Sequence, residues 1–160
     1  VSHPALGAPP RDERAGHPDD AARLVAARQR VGARALEVAI DRDPTMRERH
    51  GETGLARLLR DTEIYIEQLA RSIAAADPYF TGEWADWVAP VYRRRKVPMD
   101  DLVHLSEGIR QAAAGHLSAA ARPAADEALD AAIAVFRSYR RIAGDARRRN
   151  RLLAAIYKGA

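Results

Sequence analysis

The chain has 160 residues, of which 47% are hydrophobic and only 6% aromatic. That is enough apolar material for one domain core, built mostly from Ala, Leu, Val and Ile, and Ala-rich interiors favour closely spaced helices. There is no cysteine and the formal charge is +4, which excludes disulfides, thiolate metal sites and a cysteine nucleophile.

Residues 1–18 hold four prolines and little apolar periodicity, and read as a disordered leader. The remainder, 19–160, reads as one domain. A first helix starts near Asp19-Asp20, where carboxylates complement free N–H groups. Leu24, Val31, Ala35, Val38 and Ala39 share one face, and the helix ends before Pro44. "DPTMRERHG" reads as a short helical turn, stopped by Gly51.

The next predicted helix spans about 52–76, with Leu55, Leu58, Leu59, Thr62, Ile66, Leu69 and Ile73 on one stripe. Asp77-Pro78 opens a helix over about 79–94. Pro90 lies inside it and predicts a kink or break. After Val97-Pro98 comes a helix to about 121 that turns Met99, Leu102, Leu105, Ile109, Ala113 and Leu117 inward. Arg122-Pro123 ends it. A long last helix begins near Ala124 and extends toward the C-terminus, with a bend expected at Gly144. No strand-period run or hairpin signal occurs. The predicted fold is all-α, with five to six helices.

No stretch of about 18 apolar residues is present, so no membrane span is expected. Nor does the N-terminus carry an apolar signal region, and the expected location is cytoplasmic. Arginine supplies nearly all the positive charge; the only lysines are Lys96 and Lys158. Such a surface can attract nucleic acid. The interspersed acids point instead to an ordinary solvated surface.

Trp84 and Trp87 are three residues apart, so both project from one side of their helix. The first reading of these indoles is core. The second is the wall of a ligand pocket. The run Arg93–Lys96 suits the negative end of the same helix.

"GLARLLRDTEIYIEQLARSI" followed by "DPYFTGEWADWVAPVYRRRKVPMDDLVHLSEGIRQAA" resembles the amino-terminal domains of stressosome co-antagonist proteins. The resemblance covers about residues 20–143. It rests on Arg60, Asp61 and Thr62, on Asp77, Pro78 and Phe80, on Trp87, and on Arg95, Val97, Pro98 and Leu102. It implies a globin-like, haem-free sensory domain, commonly dimeric, that signals through its C-terminal helix. Tyr65 stands where related chains often carry a histidine.

His104 has Gly108 one turn away, which would leave space for a flat ring; imidazole is the commonest axial ligand of haem. No enzyme signature occurs: there is no G-x-S-x-G, no phosphate loop and no H-E-x-x-H. Metal ligands at helical spacing are missing as well. The sequence therefore predicts a non-enzymatic sensory or regulatory domain, a homodimer that binds a small effector or a signalling protein partner and transmits through its C-terminal helix. Tyr65, Trp84, Trp87 and His104 are its candidate ligand residues, with no required cofactor. The alternative is a haem or related tetrapyrrole carrier using His104 or Tyr65. The third is a nucleic-acid-binding helical protein, resting on the basic tail from Arg137 to Arg149.

Overall fold

A computed structural model describes residues 11–140. Six α-helices form the domain: α1 (Pro18–Ala26), α2 (Arg28–Arg42), α3 (Thr45–Ala75), α4 (Tyr79–Arg94), α5 (Met99–Ala113) and α6 (Arg122–Ser138). A 3₁₀ turn, Ala114–His116, follows α5. No strand occurs among the described residues, in agreement with the all-α reading.

The expected first helix is two helices. Ala27 separates α1 from α2, and its side chain is buried between them. Gly51 interrupts α3 at φ 61°, ψ −179°, a conformation essentially restricted to glycine. The turn carrying Arg49 and His50 is thereby re-aimed relative to the rest of α3. At Pro90, by contrast, α4 runs on unbroken.

Residues 11–17 dock on the C-terminal end of α3. Gly16 and His17 donate backbone N–H groups to the carbonyls of Ala74 (2.7 Å) and Ile73 (3.0 Å). Both carbonyls belong to the last turn of α3, where helical donors run out; Ile73 also accepts from the Ala76 N–H at 3.2 Å, and the leading segment completes the cap. A Cβ on Gly16 would lie 2.4 Å from the Ala76 nitrogen, which explains the glycine. The remainder of the expected leader, residues 1–10, lies outside the described residues. So does the expected long extension of the last helix beyond residue 140.

α2 packs most extensively on α5, α4 on α6, and α1 on α3. The α2–α5 approach is close because Gly108 has no side chain. A Cβ there would meet the Ala35 carbonyl oxygen at 2.2 Å. The space one turn from His104 is therefore filled by α2 backbone, not left for a flat ring. At the centre, Tyr65 stacks on Trp84 with centroids 4.4 Å apart, and Phe136 meets both rings edge-on at 6.3 and 6.4 Å. Offset and edge-on aromatic contacts add to the area they bury.

Candidate functional site

α3 and α4 diverge enough to leave two adjoining clefts. The first, about 200 Å³, has Asp61 and Ile64 on α3 and Trp84, Trp87, Val88 and Val91 on α4. The second, about 270 Å³, is lined by the Gly51 bend, with Arg49, His50, Thr53 and Gly54, and then by Arg57 and Leu58. Asp61, Tyr92 and Arg95 border both clefts. One side is apolar and aromatic; the other is polar and rich in arginine.

Asp61 stands at the join. Its Oδ2 accepts a hydrogen bond from the Tyr92 hydroxyl at 3.0 Å and lies 3.7 Å from Arg95 Nη1. The carboxylate side chain keeps 29% of its surface exposed. Burial raises the Tyr92 phenol well above its usual range, and the Asp61 charge raises it further, so this hydroxyl remains a donor. Arg57 makes no hydrogen bond or ion pair among the described residues, and its side chain is exposed. One loosely paired carboxylate and an uncommitted guanidinium thus face the clefts.

Behind the second cleft lies a saturated ionic junction. Arg49 Nη2 reaches Asp101 Oδ1 at 2.6 Å and Asp43 Oδ2 at 2.9 Å. His50 Nε2 lies 2.7 Å from Asp101 Oδ2, and the Asp101 side chain is only 1% exposed. For Asp43, burial acts to raise the carboxyl, but hydrogen bonds from Thr45 and Arg49 and the Arg49 charge outweigh it and hold the group at about 2. This junction ties the front of α3 to the head of α5.

The four candidate residues from the sequence part ways here. Trp84 and Trp87 both line the first cleft. Trp84 is half-buried against the core, whereas Trp87 is 73% exposed. The core reading of both indoles fails for Trp87, because the buried face of α4 runs through Phe80, Trp84, Ala85, Val88, Ala89 and Tyr92. Trp87 falls on its flank. Tyr65 is fully buried behind Trp84, and its hydroxyl pairs with Ser106 at 2.9 Å. Burial raises this phenol strongly. His104 borders neither cleft, and its Nδ1 is buried without a hydrogen-bond partner.

Sequence reasoning missed Asp61, Arg57, Tyr92 and Arg95 as a group. In the sequence Asp61 stands out only as part of the Arg60-Asp61-Thr62 motif. Tyr92 is 31 positions away, and no local pattern joins the two. Nor does the basic run stand wholly in solvent: Arg93 Nη1 donates to the Tyr139 carbonyl at 3.1 Å, and Arg95 faces Asp61. Most of the basic tail lies outside the described residues. No group of His, Asp or Glu among the described residues could hold a metal ion. No helix among them is long and apolar enough to cross a membrane.

No curated protein and no solved structure matches the chain. The family model for phycobilisome proteins matches residues 17–136, three quarters of its length. This corrects the resemblance to stressosome co-antagonist domains, with which only the globin-like helical fold is shared. Part of the motif set behind that resemblance reports fold. Asp77 accepts the Tyr79 N–H at the start of α4 (3.0 Å), Phe80 is core, and Pro98 immediately precedes α5. The matched family is one of pigment proteins, not enzymes, in line with the absence of catalytic signatures. With its helical, globin-like fold and a match over residues 17–136, this chain belongs to the phycobilisome protein family.

Proposed function

We propose that the joined clefts between α3 and α4 bind an open-chain tetrapyrrole. The observation that carries this reading is Asp61, a part-exposed carboxylate at the meeting point of an aromatic wall and an arginine-rich one. A linear tetrapyrrole offers pyrrole N–H donors, extended π faces and acidic side chains. Asp61 would accept from the N–H groups, Trp84 and Trp87 would flank the rings, and Arg57 and Arg95 would face the acids. Arginine suits carboxylate recognition because its planar fork can donate two hydrogen bonds. The two volumes together match the scale of small-molecule sites. The pigment, when bound, would supply visible-light absorption; the chain supplies orientation and exclusion of water.

Family membership supports a pigment of the bilin type. Haem is the weaker candidate, because Tyr65 is committed to Ser106 and His104 lines neither cleft. The sensory and signalling reading has no support in the family match. Assembly with further subunits and a location on the cytoplasmic side of membranes belong to the same proposal.

The test is an absorbance titration of the purified chain with biliverdin and, separately, with haem. Biliverdin should saturate at one per chain with a shifted, sharpened red band. Asp61→Asn should retain the fold by circular dichroism yet weaken binding about tenfold, or ~1.4 kcal/mol. Saturable haem binding without biliverdin binding would reject the open-chain reading.

A further inference from the structure

We infer that this domain holds its tetrapyrrole exchangeably and hands it on, acting as a carrier and not as a permanent pigment mount. The inference rests on the tetrapyrrole reading above and concerns retention. Members of the family carry covalently attached bilins. A lasting bond to a bilin needs a nucleophile at the cleft, and this chain contains no cysteine at any of its 160 positions.

The other side chains that could substitute are absent or committed. Lys96 lines neither cleft, and the other lysine, Lys158, lies outside the described residues. His50 is engaged with Asp101 at 2.7 Å. The Tyr92 hydroxyl donates to Asp61 and keeps its proton. That leaves Thr53, an unactivated hydroxyl with no general base bonded to it among the described residues. Every feature that the described residues present to the clefts is thus reversible: stacking, hydrogen bonds and ion pairs.

The mouth also holds its occupant by contact alone. Trp87 and Ile64, 73% and 47% exposed, are two of the three exposed large apolar side chains among the described residues, and both stand on the first cleft. Contact with this apolar rim is reversible, so it slows departure of the pigment without preventing it. A micromolar site filled at about 10⁶ M⁻¹s⁻¹ empties about once per second. Transfer to a recipient would require no bond to be made or broken.

The experiment uses the chain loaded with biliverdin and mixed with a tenfold excess of pigment-free chain bearing an affinity tag. Absorbance of the separated copies reads the redistribution. The expected result is near-complete movement to the tagged copies within minutes, with all pigment freed from the chain in acidic urea. Trp87→Ala should speed exchange about tenfold by removing the largest contact at the mouth; an unchanged rate would overturn the role given to the rim. Pigment that stays on the first copy for a day, or that remains with the chain after denaturation, would overturn exchange while leaving the tetrapyrrole reading intact. Failure of biliverdin to bind at all, already visible in the titration, would remove that reading and this inference together.

Discussion

Asp101 and Asp61 are both carboxylates that face arginine, and their surroundings make them opposites. Asp101 is 1% exposed and accepts from Arg49 and His50 at 2.6 and 2.7 Å. Asp61 is 29% exposed, accepts one hydrogen bond from Tyr92, and stands 3.7 Å from its arginine. A carboxylate whose lone pairs are filled holds helices together. One with unfilled capacity beside an aromatic wall is available to a ligand. Burial and saturation, more than residue type, separate a joint from a site.

The sharpest way to break this contrast is to delete each carboxylate. Asp101→Ala leaves Arg49 and His50 in a half-buried junction with one acid fewer, and removing one partner of a buried pair typically costs about 3–5 kcal/mol. Urea unfolding should show a loss of that order. Asp61→Asn should shift the midpoint by less than about 1 kcal/mol. Equal losses at both positions would erase the distinction between joint and site.

A smaller effect, about 2–3 kcal/mol, is expected from Gly108→Ala. The added Cβ meets the Ala35 carbonyl at 2.2 Å, and backbone cannot move aside as a flexible side chain can, so α2 and α5 must separate. Circular dichroism melting would read the loss. An unchanged melting temperature would show that the α2–α5 contact is looser than drawn.

Acid sharpens the comparison further. The Asp43 carboxyl is held near 2 in the folded chain against an ordinary value of 3.8. A depressed folded value contributes stability that is fully present above about pH 4 and is lost as pH falls toward 2. The loss should be on the order of 1–2 kcal/mol, seen by unfolding at pH 5, 3 and 2. Asp43→Asn should remove most of that slope. A slope unchanged in the variant would assign the acid sensitivity to another carboxylate.

The sequence showed the helices because apolar spacing and Pro or Gly punctuation are local signals. Leu58, Thr62, Ile66, Leu69 and Ile73 face inward as their spacing implies, and Gly51 stops a turn where expected. Pro90 breaks no helix: α4 continues through it to Arg94, at the loss of one backbone N–H donor. The site was half legible. Trp84 and Trp87 were singled out as rare aromatics on one face, and both border the cleft. The Asp61–Tyr92 and Asp101–His50 pairs span 31 and 51 positions, and only the folded chain brings them together. His104 drew attention through Gly108, whose actual partner is Ala35 on another helix. A short motif could not reveal that contact.

The smallest stability effect falls at Trp87, and it bears most directly on function. Its ring is 73% exposed, so little apolar area is lost when it is truncated, and Trp87→Ala should change folding stability by no more than about 0.5 kcal/mol. Trp84→Ala should cost about 2–3 kcal/mol, because that ring stacks on Tyr65 at 4.4 Å and its loss leaves space in the core. Biliverdin binding should reverse the balance between the two properties at Trp87: about tenfold weaker affinity with the fold untouched. A tryptophan kept largely in water contributes little to folding, so its effect on binding can be read apart from any effect on the fold. If Trp87→Ala binds pigment as well as the parent chain, the aromatic wall ends at Trp84, and the first cleft is too shallow on that side to hold a tetrapyrrole ring.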